Sequence, residues 1–105
     1  MKVQERAVQV YQVLIAAAHE RQTLTYDMVA EKVGVHRAGV GYFLEAITQY
    51  CRKNGYPILP VLVVQKESGR PGAWRKLQCN INRERERVYA FEWYRLPPVK
   101  AENMK

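Results

Sequence analysis

The sequence predicts a small, mainly helical α+β domain: a winged helix-turn-helix with a β-hairpin wing and a C-terminal helix. Three observations support this class. Helical patterns over residues 26–33 and 37–54 flank a short segment that begins at Gly34. The β-branched run 61–64 precedes turn-forming residues 66–72. Positive charge concentrates around that turn. We assign residues 1–98 to one domain and residues 99–105 to a flexible tail.

Apolar spacing predicts the first two helices. Residues 3–20 carry apolar side chains every three or four positions, at Val3, Ala7, Val10, Leu14 and Ala17. Thr25 is a suitable N-cap for a second helix over 26–33, which directs Val29 and Val33 inward. Gly34 follows where a left-handed residue commonly ends a helix.

The third helix is predicted from about residue 37 to Asn54, with Gly55 as its end. Its inward stripe comprises Val40, Phe43, Leu44, Ile47 and Cys51. Gly39 and Gly41 near its start each cost about 1 kcal/mol relative to Ala. We interpret them as sites where another helix or a phosphate backbone approaches closely.

Prolines and turn residues mark the next segment. Pro57 and Pro60 argue against a helix, and Val61–Val64 has the length and composition of a strand. Residues 73–77 fit a second strand and a short helix equally well. A terminal helix over 83–96 is favoured, capped by Asn80 or Asn82, although the aromatic residues 88–94 also fit a strand.

Bulk properties narrow the class of protein. A chain of 105 residues has room for one core, and 48% hydrophobic residues are too many for a disordered chain. The sequence has no apolar run of the roughly 18 residues that span a bilayer, and its start lacks the pattern of a secretory signal. We interpret Cys51 and Cys79 as reduced residues of a cytoplasmic protein, which would be nucleoid-associated in a bacterium.

The charge is unevenly distributed. Seventeen Lys and Arg against ten Asp and Glu give +7. Residues 1–51 are neutral overall, whereas residues 52–76 hold six cations and one acid, a net of +5. Nucleic acid is the commonest polyanion that such a segment binds. The alternating run 84–87 is instead typical of local ion pairs on a solvent-exposed face.

Residues 25–72 resemble the DNA-binding domain shared by O6-alkylguanine-DNA alkyltransferases and alkyltransferase-like proteins. The matching segments are Thr25-Tyr26, AEKVG ending at Gly34, HRAGVG at 36–41, PILPVLVV at 57–64 and ESGRPG at 67–72. The resemblance implies a winged-helix fold and a grip on DNA. It also implies that Tyr26 and an arginine act together on a base rotated out of the stack, but here Ala38 takes the arginine's place and Arg37 lies one position earlier.

The resemblance fails at the active site. The alkyltransferases carry Pro-Cys-His-Arg where this chain has Pro60 followed by Val61-Leu62-Val63-Val64. Alkyl transfer therefore lacks its nucleophile and base. His19 has no nearby residues at metal-ligand spacing. We expect no enzyme activity, no cofactor and no metal.

The leading hypothesis is a non-catalytic protein that binds duplex DNA, with a basic wing on phosphates and with sensitivity to a modified or damaged base. The residues assigned to DNA are Tyr26, His36, Arg37, Tyr42, Arg52, Lys53, Lys66, Arg70, Trp74, Arg75 and Lys76. The alternative hypothesis is a small phage or bacterial interaction module, whose aromatic C-terminus binds a host protein or a second copy.

Overall fold

The structure is a computed structural model that describes residues 3–66 and 80–104. Within these ranges it contains four α-helices and a two-stranded parallel sheet. The helices are α1 (Val3–His19), α2 (Tyr26–Val33), α3 (Arg37–Asn54) and α4 (Ile81–Ala90), and the strands are β1 (Leu24–Thr25) and β2 (Val63–Val64). The prediction of a mainly helical α+β chain is confirmed.

Helix α1 organises the core because it packs against α2, α3 and the segment before β2. Its buried face includes Val10, Tyr11 and Leu14, each at most 1% exposed. On α3, the predicted inward stripe at 40, 43, 44, 47 and 51 is buried throughout. Burial of these faces against one another supplies the apolar contacts that hold the three helices together.

The connection between α2 and α3 forms as the sequence predicts. The hydroxyl of Thr25 accepts a hydrogen bond from Met28 N at 3.2 Å and caps α2. Gly34 ends α2 with φ of 77°, a left-handed conformation that favours glycine. From α1, the Arg6 guanidinium donates to the carbonyl of Val33 at 2.8 Å. These contacts fix both ends of α2, and α3 begins after three connecting residues.

The predicted strand over Val61–Val64 is only half correct. Leu59–Leu62 forms a 3-10 helix, and strand geometry is limited to the next two residues, 63 and 64. Pro60 lies at the start of the 3-10 helix, where its missing N–H costs no hydrogen bond. β2 pairs in parallel with β1, with Thr25 opposite Val64. The observed partner of this strand is therefore β1, and the second strand expected for a hairpin falls in 73–77, outside the described residues.

The predicted terminal helix is confirmed as a helix but ends earlier than expected. Asn80, through its side-chain oxygen, accepts from Arg83 N at 3.1 Å and caps α4. Helix α4 ends at Ala90, and a 3-10 turn, Trp93–Arg95, follows. The open alternative of a strand over 88–94 is thereby excluded.

The segment expected to form a flexible tail packs onto the domain. Ala101–Met104 forms a 3-10 helix in contact with α1 and α3. The side chain of Met104 is 4% exposed. The prediction of a flexible tail was wrong for residues 101–104, because the scattered apolar residues Val99, Ala101 and Met104 give no periodic signal. Separately, none of the helices in the described ranges combines the length and apolar character needed to cross a membrane.

Candidate nucleic-acid interface

The outer face of α3 is exposed along its first three turns. Residues at intervals of three and four positions share this face, and they are Ala38, Gly41, Tyr42, Glu45 and Gln49. Thr48, a polar residue of the same helix, points inward instead: it is buried, and its hydroxyl donates to Leu44 O at 2.9 Å. The face therefore starts with small side chains, continues with an aromatic ring, and carries one acid.

The two glycines of α3 differ in their surroundings. A Cβ at Gly39 would lie 3.8 Å from the Phe43 ring, an ordinary contact, and a Cβ at Gly41 would meet no described atom within 4 Å. Of the two alternatives considered for these glycines, the close approach of another helix is excluded for both within the described part of the chain. Gly41 leaves the backbone of α3 open to an external partner, at the cost in helix stability that glycine brings.

An ion pair connects the first turn of α2 to the first residue of α3. The Arg37 Nε lies 3.0 Å from Asp27 Oδ1, and both side chains are more than half exposed. Asp27 also lies where a negative charge favours the N-terminus of α2. The sequence analysis assigned Arg37 to DNA and did not predict its pairing with Asp27. The two residues are ten positions apart on different helices, and no sequence pattern indicates that they are in contact.

His36 has a structural role at the start of α3. Its Nδ1 accepts a hydrogen bond from Ala38 N at 3.3 Å and caps the helix. An accepting Nδ1 places the proton of a neutral imidazole on Nε2. The exposed ring therefore offers a donor at Nε2 to a phosphate or base.

The two tyrosines assigned to DNA are in different environments. Tyr42 is 66% exposed and touches its neighbour Phe43 edge to face, with ring centroids 6.3 Å apart. Tyr26 is partly buried and packs against the core. Only Tyr42 presents a largely free ring to a ligand.

The described cations do not all lie at one end of the molecule. Lys66 is exposed and follows β2, whose pairing with β1 brings it to the end of the sheet where α2 begins. Arg52 and Lys53 occupy the last turn of α3, about 22 Å along the helix axis from Arg37 at 1.5 Å per residue. Lys66 therefore lies beside the start of α2, whereas Arg52 and Lys53 lie at the opposite end of α3 from Arg37.

Four of the predicted DNA contacts fall outside the described residues. They are Arg70, Trp74, Arg75 and Lys76. Their assignment to a wing stays a prediction from the sequence.

The environment of Cys51 keeps its thiol protonated. Burial raises the pKa of Cys51 to about 11; a hydrogen bond with the Leu59 backbone opposes this rise, and the Glu84 carboxylate adds to it. A thiol of this kind is a poor nucleophile at neutral pH. In the described ranges, no three His, Cys, Asp or Glu side chains are grouped to hold a metal ion.

The aromatic C-terminus is used mainly inside the fold. Trp93 is 5% exposed and donates from Nε1 to Val88 O at 2.9 Å, while Arg21 covers the Tyr89 ring at 5.0 Å. Tyr94 is the exception at 66% exposed. It borders a groove of about 350 Å³ that is also lined by Ile15, His19, Tyr89, Phe91 and Trp93.

Comparison with known proteins identifies no similar protein. The chain matches no protein-family model, no curated protein and no solved structure. The resemblance to the alkyltransferase DNA-binding domain therefore depends on the short sequence segments alone.

Proposed function

We propose that this protein binds double-stranded DNA without catalysis, as a winged helix-turn-helix that places the first three turns of α3 in the major groove. The observation that carries the proposal is the uncovered outer face of α3, where a Cβ added at Gly41 would meet no described atom within 4 Å. Gly41 weakens the helix without an internal packing reason in the described residues, and close approach of a partner to the backbone would account for it.

Charge supports a polyanionic partner. The chain carries +7 at pH 7, and Lys66 lies at the same end of the sheet as the first turn of α2. That turn is joined to the start of α3 by the Asp27–Arg37 pair. A duplex that contacts α3 would therefore meet the segment that leads into residues 67–79, where the sequence places the basic wing.

Residues at the start of α3 and its N-cap each have a chemical role in this proposal. His36 offers the Nε2 donor and Arg37 a guanidinium, and both suit phosphate oxygens or base edges. Ala38 and Gly41 leave room for the groove wall. Tyr42 supplies a ring that can stack on a base, which fits the recognition of a modified or damaged base implied by the alkyltransferase resemblance.

A salt titration tests the proposal. Fluorescence anisotropy of a labelled random duplex should give a dissociation constant of about 10⁻⁴ to 10⁻⁶ M at physiological salt, weakening steeply as salt rises. Arg70→Glu combined with Arg75→Glu should remove most of this affinity, because both charges are assigned to phosphates. Binding weaker than about 10⁻⁴ M would contradict the proposal.

The second candidate function is a protein-interaction module. The groove beside the exposed Tyr94 favours it, since tyrosine is enriched among the residues that dominate binding at protein interfaces. Burial of Trp93 and partial burial of Tyr89 and Phe91 leave this surface smaller than the sequence indicated. Tyr94→Ala should abolish partner binding under this alternative and leave duplex binding unchanged.

A further inference from the structure

Asp27 occupies an unexpected position for a residue of a DNA-binding surface. Its carboxylate lies beside the first residue of α3, 3.0 Å from Arg37 Nε, and the two side chains are 66% and 62% exposed. A carboxylate at this point repels the phosphates that Arg37 attracts. It also occupies the Nε donor of an arginine suited to bidentate contact with phosphate or guanine.

We propose that Asp27 restrains duplex binding by holding Arg37, so that the guanidinium reaches DNA only when a phosphate or base displaces the carboxylate. This inference rests on the proposed function. An exposed ion pair contributes little free energy and is weakened by salt. A correctly placed acceptor therefore displaces Asp27 readily, whereas a loosely associated polyanion does not.

The restraint by Asp27 lowers the affinity for random DNA and thereby increases the preference for DNA sites that contact Arg37. Non-specific binding depends almost entirely on phosphate neutralisation, and Asp27 reduces the charge available for it. A site that aligns a base edge or phosphate with Arg37 recovers the contact. Asp27 thus acts as a positioning residue whose effect passes through Arg37.

Asp27→Asn tests the restraint because it removes the charge and keeps the shape. We expect this variant to bind a random duplex about three- to fivefold more tightly than the parent. The gain has two sources, since the substitution breaks one exposed ion pair and removes one charge that repels phosphates. We also expect the plot of log K against log salt to steepen by about 0.9, because Arg37 gains one phosphate contact. A change of fold stability alone would not steepen the slope.

Glu86→Gln is the matched control. It removes one negative charge and breaks an ion pair of similar exposure, since Glu86 Oε2 lies 2.8 Å from Arg21 Nη2 with side chains 69% and 57% exposed. This pair joins α4 to Arg21, two residues after the end of α1, on elements that the proposal does not place in the groove. Less than a twofold change in affinity and an unaltered salt slope are expected.

The double variant Asp27→Asn/Arg37→Gln shows whether Asp27 changes DNA affinity through Arg37 or only through the net charge of the protein. If Asp27 acts through Arg37, the gain from Asp27→Asn should shrink in the Arg37→Gln background to the small part that removal of one negative charge supplies. Equal gains in both backgrounds, or equal gains from Asp27→Asn and Glu86→Gln, would overturn the inference while leaving duplex binding established. Absence of duplex binding by both the parent and Asp27→Asn would overturn the inference and the proposed function together. Circular dichroism and thermal unfolding confirm that each variant is folded.

Discussion

The Glu84 carboxylate accepts a hydrogen bond from the backbone N–H of Ile58 at 2.7 Å and joins α4 to the segment that leads into β2. Its other oxygen pairs with Arg87 Nη1 at 2.8 Å. Glu84 is only 5% exposed. Its carboxylate therefore makes a buried contact between two segments, although it belongs to the run of alternating charges at 84–87. The local pair with Arg87 was expected from the sequence, whereas the burial of Glu84 was not.

Glu84→Ala should therefore lower the free energy of unfolding by about 2–3 kcal/mol, because it leaves a buried N–H without an acceptor. Urea unfolding followed by circular dichroism measures the change. Glu86→Ala is the control, since Glu86 makes an exposed ion pair worth less than about 1 kcal/mol. Equal losses from the two variants would show that the hydrogen bond to Ile58 contributes nothing.

Cys51 should be unreactive in the folded chain. With its pKa raised to about 11 by burial, the thiolate fraction at pH 8 is lower than that of an ordinary cysteine by on the order of 100-fold. In a Cys79→Ser background, an aromatic disulfide reagent should modify Cys51 at least that much more slowly in buffer than in denaturant. Comparable rates in the two conditions would contradict the burial of Cys51.

The sequence predicted the elements whose signals are local. Thr25, Gly34 and Gly55 lie at helix boundaries as expected, because capping and left-handed geometry depend on single residues. The inward stripe of α3 was also predicted, since helical periodicity identifies a buried face directly.

Long-range contacts could not be predicted in this way. The parallel pairing of β2 with β1 joins segments almost forty residues apart, and two-residue strands leave no alternating pattern. For the candidate site, the sequence placed His36, Arg37 and Tyr42 on or beside an exposed helix start. It did not reveal that Asp27 holds Arg37 or that His36 caps α3, since both depend on geometry across the turn.

Met104 should contribute to stability despite its position next to the last residue of the sequence. Met104→Ala should cost about 2–3 kcal/mol, because it removes a buried side chain that packs in the core cluster. Thermal or urea unfolding measures this loss. Glu102→Ala, at an exposed position of the same 3-10 turn, should change stability by less than about 0.5 kcal/mol. A Met104→Ala variant as stable as the parent would indicate that the segment is detached.

Gly41→Ala should raise stability and lower DNA affinity. The new methyl group meets no described atom within 4 Å, so the helix should gain about 0.5–1 kcal/mol. In the proposed complex the same methyl group faces the duplex and should weaken binding. Gly39→Ala is the comparison, because its Cβ would make an ordinary contact with Phe43 inside the chain. Increased stability with unchanged affinity in Gly41→Ala would separate this glycine from DNA binding.

Amide chemical shifts during titration with a duplex test the central claim most directly. Addition of unlabelled random-sequence DNA to the ¹⁵N-labelled protein should shift the amides of residues 36–49, with the largest changes near Gly41 and Tyr42, and should leave α4 unchanged. Shifts concentrated around residues 89–95, or no shifts at duplex concentrations above about 10⁻⁴ M, would contradict the placement of α3 in the major groove.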